Sequence, residues 1–455
     1  MAEPGIAAYA AQLPAYAVAT TTFGRVVAPA DAKRARSTAN HDEDSLTLAV
    51  EAARRLASDV PANAPLFFGT SEPPYLDKSS ASTLHAALDL PAAVHAADLA
   101  GLRAGAAVLA SALATGGTGV AADLRTQAPG APDELAHGDA AVAFVTGGDA
   151  ATLLAHAAVT TELLDRRRLP GERHPVVWDE RFTAEVYLAT MTDAVQRAFA
   201  EAGIERADHV VVSCANGRAA AAARGVLGAM EDAELEALVG HTGAAHLGLL
   251  LADALDRAQP GETILALGAA DGADAFVFRA GAAVSDANRG RPVREQLATR
   301  SALTYERFRR RRRLLDLQGA RRPAPEAPAA PPMYRNSRWK FGLVANRCSA
   351  CGTIATPPGP VCPECGATGT AEDYPLREVP GRVVSFTVDH LSPSPDPPVV
   401  LAVVDFELGG RRSVEVTDVP EEGIAVGDRV VSTFRRLHSS DGIHNYFWKA
   451  RPEAT

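Results

Sequence analysis

The sequence of 455 residues contains no apolar run that approaches the roughly 20 residues needed to span a bilayer. Its N-terminus, MAEPGIAAYAAQLPAYAVA, lacks the positively charged start and continuous apolar stretch of a signal peptide. An excess of cations is also lacking, because 45 lysines and arginines stand against 55 aspartates and glutamates, for a net charge of −10. These absences argue against a membrane protein, a secreted protein and a general nucleic-acid binder, and they favour a cytoplasmic location.

Cysteine is scarce, with 5 residues in the chain, and none occurs between Met1 and Ser213. Four of the five form two CxxC pairs, Cys348 with Cys351 and Cys362 with Cys365. Each pair makes a tight turn whose two thiolates can bind one cation, and two such turns complete a tetrahedral site. We therefore expect a structural zinc ion. Iron in the same cage, a redox-active dithiol pair or a site that has lost its metal are the alternatives.

Short β-rich runs alternate with Ala/Leu-rich helical stretches from about Gly5 to Arg300, which predicts an α/β layered core with a sheet buried on both faces. An arginine run and the Pro/Ala-rich segment Arg321–Pro332 follow, and we interpret that segment as a semi-extended linker. Alternating strand patterns over about Tyr374–Pro452 predict a small all-β barrel. The predicted domains are therefore 1–300 (α/β), 301–333 (linker), 334–370 (cysteine ribbon) and 371–455 (barrel).

The C-terminal part of the chain resembles a known family. Its segments Arg347–Gly352 (RCSACG), Cys362–Gly366 (CPECG) and Tyr446–Lys449 (YFWK) are similar to the zinc-ribbon and OB-fold proteins associated with acyl-CoA enzymes. This resemblance covers about Tyr334 to Pro452, and it implies binding of CoA thioesters or bridging of thiolase-fold subunits. An OB barrel alone would also allow nucleic-acid binding, which the acidic chain and the absence of a basic aromatic stripe disfavour.

Several N-terminal motifs resemble the hydroxymethylglutaryl-CoA synthase branch of the thiolase superfamily. They are His41–Ala49 (HDEDSLTLA), Leu66–Thr70 (LFFGT), Gly138–Ala141 (GDAA), Trp178–Phe182 (WDERF) and Gly240–Ala245 (GHTGAA). This resemblance spans about Gly5 to Arg279. It implies a thiolase-like five-layer α/β/α/β/α sandwich, an acyl-CoA ligand and a homodimer.

This chain differs from the family at the position where the nucleophile is expected. The family's cysteine stands at the start of a buried helix, where the helix N-terminus lowers its pKa. In the matching stretch Asp98–Gly105 (DLAGLRAG) that position holds Leu102. The family's histidine position holds Ser213, and His241 stands in the Gly-x-Thr-Gly turn where the family has an asparagine or histidine. The nucleophile for acyl transfer is therefore missing.

Four residues are candidates for catalysis. His241 and Glu72 are the candidate bases, although a surface turn is the favoured interpretation of Glu72, and Ser213 is included for its position. Cys214, the one cysteine outside the pairs, is either a small buried hydrophobe or a recruited nucleophile. The candidate substrate contacts are Leu102, Arg103 and Asn216.

Three functions remain open. The first is aldol or retro-aldol chemistry on a β-hydroxyacyl-CoA in complex with a thiolase, with backbone N–H groups near Gly101–Arg103 holding the thioester enolate. The second is a non-catalytic scaffold that docks a thiolase and shuttles acyl-CoA. The third is a condensing synthase or acyltransferase that uses Cys214.

Overall fold

The computed structural model describes residues 4–23, 34–131, 133–229, 231–315, 325–392 and 394–453. The chain divides into two compact units. The first comprises Met1–Ala39, Asp44–Ser82 and Pro91–Phe308, and the second comprises Asn40–Glu43, Thr83–Leu90 and Arg309–Thr455. A search of the described ranges finds no helix that is both long and apolar enough to cross a membrane.

Strands and helices alternate along the first unit, as predicted. Its strands are β1 (Gly5–Gln12), β2 (Tyr16–Ala19), β3 (Ala35–Thr38), β4 (Leu66–Thr70), β5 (Ala96–Ala100), β6 (Thr118–Leu124), β7 (Asp139–Thr146), β8 (Ala151–Thr160), β9 (Arg166–Arg167), β10 (Val176–Val177), β11 (His209–Cys214), β12 (Thr263–Ala269), β13 (Gly272–Ala280) and β14 (Ser301–Ala302). The helices that begin in it are α1 (Ser45–Ala53), α2 (Ser80–Ala87), α3 (Ala104–Thr115), α4 (Glu180–Ala202), α5 (Gly217–Leu227), α6 (Glu231–Val239), α7 (His246–Arg257), α8 (Val293–Ala298) and α9 (Tyr305–Arg311).

Among the described residues, nine strands form one continuous sheet in the order β11-β12-β13-β8-β1-β7-β6-β4-β5. Helix α1 packs on β1, β6 and β7, whereas α4 packs on β8 and β13. Helices α3 and α7 contact each other, and α3 reaches β4 and β6 while α7 reaches β11 and β12. Helices α3 and α7 thus lie between two halves of the sheet. This arrangement confirms the predicted thiolase-like α/β class. Strands β7 and β12 are buried along their whole length, as a sheet covered on both faces requires.

The second unit contains a small sheet and a closed barrel. Its helices are α10 (Ala330–Arg335) and α11 (Ser337–Gly342), and its strands are β15 (Val344–Cys348), β16 (Ile354–Ala355), β17 (Ala371–Pro375), β18 (Gly381–Asp389), β19 (Val399–Phe406), β20 (Arg411–Val416), β21 (Arg429–Ser440) and β22 (Ile443–Pro452). Strands β16, β15 and β17 form the sheet, and β18-β19-β20-β22-β21 close the barrel. The barrel prediction is confirmed.

The segment interpreted as a semi-extended linker differs in part from that expectation. Residues 316–324 lie outside the described residues, and α10 begins at Ala330 inside the Pro-rich stretch. Prolines lie in the first turn of this helix. A first-turn proline is tolerated because its missing N–H group would have no partner within the helix. A high proline content therefore does not by itself exclude a helix in this segment.

The second unit also buries a cluster of charges that the sequence did not reveal. The Asp42 carboxylate lies 2.9 Å from the Lys449 ammonium and 3.3 Å from the Arg435 guanidinium. Arg435 also lies 2.8 Å from Glu43, and all four side chains are almost fully buried. Because a buried charge is tolerated only when it is paired, these contacts tie the Asn40–Glu43 segment to β21 and β22.

Gly105 in α3 offers a test of the close packing between α3 and the turn that precedes α7. A Cβ atom at Gly105 would lie 1.9 Å from the Ala244 carbonyl oxygen, whereas one at Gly225 in α5 would meet nothing within 4 Å. We expect Gly105→Ala to lower the free energy of unfolding by more than about 2 kcal/mol, since backbone must move. Gly225→Ala should be neutral or stabilising by up to about 1 kcal/mol. Denaturant unfolding of both variants measures this, and equal stability would contradict the packing described.

Candidate functional site

Three positions singled out in the sequence converge at one pocket in the first unit. Leu102 precedes α3, Ser213 lies near the end of β11, and His241 lies in the turn before the short 3-10 helix Gly243–Ala245. All three line a pocket of about 20 Å³. This space holds little more than one water molecule. The structure therefore brings the expected positions together, but it leaves almost no room where a nucleophile would act.

His241 is a neutral imidazole with one committed nitrogen. Its Nδ1 accepts a hydrogen bond from the Gly243 backbone N–H at 3.2 Å. The tautomer that follows from this bond carries its proton on Nε2. Burial, together with the nearby His246 and His137, holds the pKa of His241 well below its usual value. Among the described residues, the buried Nε2 atom has no hydrogen-bond partner, so its N–H group is a hydrogen-bond donor without an acceptor.

The Asp123 carboxylate, at the end of β6, joins two turns of the site. Its Oδ1 accepts hydrogen bonds from the Thr70 hydroxyl and the Ser71 backbone N–H, each at 2.7 Å. Its Oδ2 accepts from the Ser71 hydroxyl and the Ala244 backbone N–H, also at 2.7 Å. A Cβ atom at Gly243 would lie 2.1 Å from Oδ2, so only glycine allows this approach. Asp123 is fully buried, and sequence reasoning missed it. The available signal was one acidic residue at the end of an apolar strand.

Glu72 follows the turn that Asp123 holds. Its Oε2 accepts a hydrogen bond from Arg168 Nη1 at 2.5 Å, and its Oε1 lies 3.8 Å from Arg125 Nη1. Burial raises the pKa of the Glu72 carboxyl above its ordinary value, although Arg125 and Arg168 both act in the opposite direction. Glu72 is therefore a half-buried carboxylate between two arginines.

A second and larger cavity adjoins the small pocket, and the two share Leu102. It has a volume of about 250 Å³. Its lining includes Ser71, Leu102, Tyr187 and the arginines 125, 166, 167 and 168. Sequence reasoning missed these arginines, although the run Asp165–Arg168 (DRRR) was a visible signal.

The remaining candidates lie at the margin of the site or outside it. Arg103 lines the small pocket, but it donates to Asp274 at 2.8 Å, Thr160 at 3.1 Å and the Asp271 carbonyl at 3.0 Å. Asn216 is buried and caps α5 by accepting hydrogen bonds from two backbone N–H groups. Cys214 is the last residue of β11 and packs in the core, where burial raises the pKa of its thiol to about 12. Neither Asn216 nor Cys214 is among the residues lining the two cavities described above.

The four paired cysteines converge in the second unit. Their Sγ atoms all lie within 4.8 Å of one another, with Cys348 to Cys365 at 3.8 Å and Cys351 to Cys362 at 3.6 Å. Four thiolates about 2.3 Å from a central Zn²⁺ would be separated by about 3.8 Å in a tetrahedron. The cluster therefore fits a four-coordinate metal with no position left open for a substrate.

Removal of one cysteine from this cluster should release its metal. We expect one zinc ion per purified chain, and we expect Cys351→Ser to lose it, because three thiolates bind zinc far more weakly than four. Cys214→Ser should retain the metal, since Cys214 lies outside the cluster. Elemental analysis by mass spectrometry measures both variants, and equal metal content in the two would contradict the assignment.

Comparisons with known proteins match the two parts of the chain separately. Residues 377–435 match the family described as ChsH2, C-terminal OB-fold domain. A DUF35 domain-containing scaffold protein of Methanocaldococcus jannaschii is 29% identical over 124 residues, which are 26% of this chain and 87% of that protein. This match and the match to the OB-fold family confirm that the C-terminal part resembles the zinc-ribbon and OB-fold proteins.

The N-terminal part has enzyme relatives. The hydroxymethylglutaryl-CoA synthase of Pyrobaculum neutrophilum is 30% identical over 310 residues, covering 62% of this chain and 88% of that enzyme. The solved structure of MvaS in complex with 3-hydroxy-3-methylglutaryl coenzyme A aligns with a TM-score of 0.58 and 21% identity over 72% of this chain and 95% of that chain. The chain belongs to the hydroxymethylglutaryl-CoA synthase family, with a four-cysteine cluster and an OB-fold domain following the thiolase-like fold.

Proposed function

We propose that this chain binds a β-hydroxyacyl-CoA and forms or cleaves its Cα–Cβ bond by aldol-type chemistry, without an acyl-enzyme. The observation that carries the proposal is Leu102, which stands with Ser213 and His241 in one pocket of the family fold yet offers no nucleophile. Relatives of this fold act on or bind CoA esters, as their names state. A C–C bond next to a thioester can be cleaved without covalent catalysis, and such a reaction needs only a base and donors to an enolate oxygen.

In the cleavage direction, a base removes the proton from the β-hydroxyl group. The O–H electron pair forms a carbonyl at Cβ, the Cα–Cβ bond breaks, and its electron pair moves into the thioester enolate. Protonation at Cα then releases the shortened acyl-CoA. Each step balances without an oxidant, a reductant or a covalent enzyme intermediate.

Glu72 is assigned as the base in this proposal. Its raised pKa makes its carboxylate a stronger proton acceptor than an exposed glutamate, and it lies next to arginines that line the larger cavity. Asp123 acts as a positioning residue because it fixes the turn that carries Glu72.

His241 is assigned as a donor rather than a base. Its Nδ1 is already engaged with Gly243, and the proton on its unpartnered Nε2 is available to the enolate oxygen. Because its pKa lies well below the usual histidine value, His241 stays neutral near pH 7 and keeps this role over a wide pH range. Backbone N–H groups near Gly101–Arg103 are proposed to supply further donors to the same oxygen.

The proposal includes zinc, partners and location. The four-cysteine cluster is assigned a structural Zn²⁺ because its geometry is closed. The chain is proposed to act as a cytoplasmic homodimer in complex with a thiolase. Support for self-association comes from β5, which ends the sheet and pairs only with β4 in the described fold, so that its other edge can accept a strand. Support for a hetero-complex comes from the scaffold protein that the C-terminal part resembles.

Removal of the proposed base should slow catalysis without preventing binding. We expect Glu72→Gln to lower kcat for β-hydroxyacyl-CoA cleavage by roughly 10²- to 10⁴-fold, whereas Glu201→Gln, on the exposed face of α4, should leave it unchanged. The wild-type rate should rise with pH through a pKa above that of an ordinary glutamate, because the deprotonated form is active. Chromatography of the CoA products, with the chain alone and with its co-purified partner, measures the rate.

Loss of the proposed donor gives an independent test. We expect His241→Ala to lower kcat by about 10²- to 10³-fold, because it removes a hydrogen-bond donor to the enolate oxygen. His209→Ala, at a partly exposed histidine paired with Glu262, is the control.

Full cleavage activity in both Glu72→Gln and His241→Ala would refute these assignments. Absence of turnover in the isolated chain and in its complex, combined with tight acyl-CoA binding, would favour the scaffold function instead. Condensing activity that Cys214→Ser abolishes would favour the synthase alternative.

A further inference from the structure

Strand β18 of the barrel loses one of its two neighbours soon after it begins. Its first two residues pair with β21, and no later residue of β18 does so in the described fold. A bulge in its pairing with β19 follows, between Val383 and Ser385. The segment Val384–Val388, called the β18 edge below, pairs with β19 on one side and with no strand of the described chain on the other.

The β18 edge is apolar, and its large side chains are open to solvent. Val384, Phe386 and Val388 alternate along it, and each is between 37% and 41% exposed. Leu401, which stands opposite Thr387 on β19, is also exposed. None of the five residues of the edge is charged, a proline or a glycine. Natural edge strands ordinarily carry such residues because they prevent pairing with other chains, so this edge is typical of a strand that pairs with one.

The sequence of the edge, VSFTV, is symmetric about its central residue. Phe386 stands between two hydroxyl residues, Ser385 and Thr387, and these stand between two valines. In an antiparallel pairing of two such edges about Phe386, phenylalanine faces phenylalanine, valine faces valine, and Ser385 faces Thr387. Aromatic pairs and Ser/Thr pairs stabilise antiparallel strands. A twofold interface needs a surface that is complementary to itself, and this edge has that property.

The charges that flank the edge favour the same antiparallel arrangement. Arg382 and Asp389 lie on the same face of β18, because their partners on β19, Asp405 and Val399, stand an even number of residues apart. Antiparallel pairing about Phe386 brings the Arg382 end of each copy to the Asp389 end of the other. Parallel pairing would instead place like charges side by side, which is unfavourable.

We propose that two copies of this chain associate through the β18 edge, which pairs antiparallel with the same edge of the second copy about a twofold axis at Phe386. The second strand supplies partners for the open side of the β18 backbone and covers the exposed valines and phenylalanine. This surface is separate from the edge of β5 that supports self-association in the proposed function. The β18 edge alone gives a dimer, and together with β5 it gives an assembly of four copies or more.

The test measures the solution mass of the full chain by sedimentation equilibrium. We expect Phe386→Lys and Phe386→Glu each to lower the mass at least twofold, because like charges then face each other across the axis. An equimolar mixture of the two variants should recover the wild-type mass, since lysine then faces glutamate. Val388→Lys is a second variant if changes at Phe386 prevent folding, and it should also lower the mass. Leu408→Lys, at an exposed leucine in the turn after β19, is the matched control and should keep the wild-type mass.

Each outcome decides the inference. Equal masses for the wild type and for folded Phe386→Lys or Val388→Lys overturn it, and a mixture that stays at the mass of the single variants overturns the pairing about Phe386. If Phe386→Lys keeps its mass but loses a co-purified protein of different sequence, the edge binds that protein and the proposal is wrong. The mass also separates this surface from β5. A wild-type dimer that becomes a monomer shows the β18 edge acting alone, whereas a tetramer that becomes a dimer shows both surfaces.

Discussion

The candidate site depends on the buried carboxylate of Asp123. Its two oxygens accept four hydrogen bonds, two from backbone N–H groups and two from hydroxyls, so the charge is well satisfied despite complete burial. These bonds join the turn after β4, which carries Glu72, to the turn that carries His241. Asp123 thereby links the turn of the proposed base to the turn of the proposed donor, and a β-bridge to His137 also holds the His241 turn.

The sequence was sufficient to predict the fold class because its hydrophobic pattern repeats along the chain and its motifs occur in the order that the family shows. Alternating helices and apolar strands predicted the α/β core, and two CxxC pairs predicted the four-cysteine cluster. Leu102, Ser213 and His241 were located by motif position, and they do meet at one pocket. In each case the informative residues are close together in the sequence or form a known motif.

The sequence could not predict contacts between distant residues. Asp123 and Ala244 are far apart along the chain, as are Arg125 and Arg166, and only folding places each pair together. Asn216 was considered as a substrate contact, yet its position just before α5 is typical of a helix cap, and the structure shows it capping that helix. The charge cluster around Asp42 was hidden for the same reason, since Arg435 and Lys449 lie near the other end of the sequence.

The central claim is that this chain keeps the family fold but acts without a covalent acyl-enzyme intermediate. The most direct measurement is intact-protein mass spectrometry of the full chain after incubation with acetyl-CoA and with a β-hydroxyacyl-CoA. The account predicts no added acyl group on any residue, because Leu102 cannot accept one and Cys214 lies in the core with its thiol protonated. A stoichiometric acyl adduct that forms and disappears at the rate of turnover would contradict it.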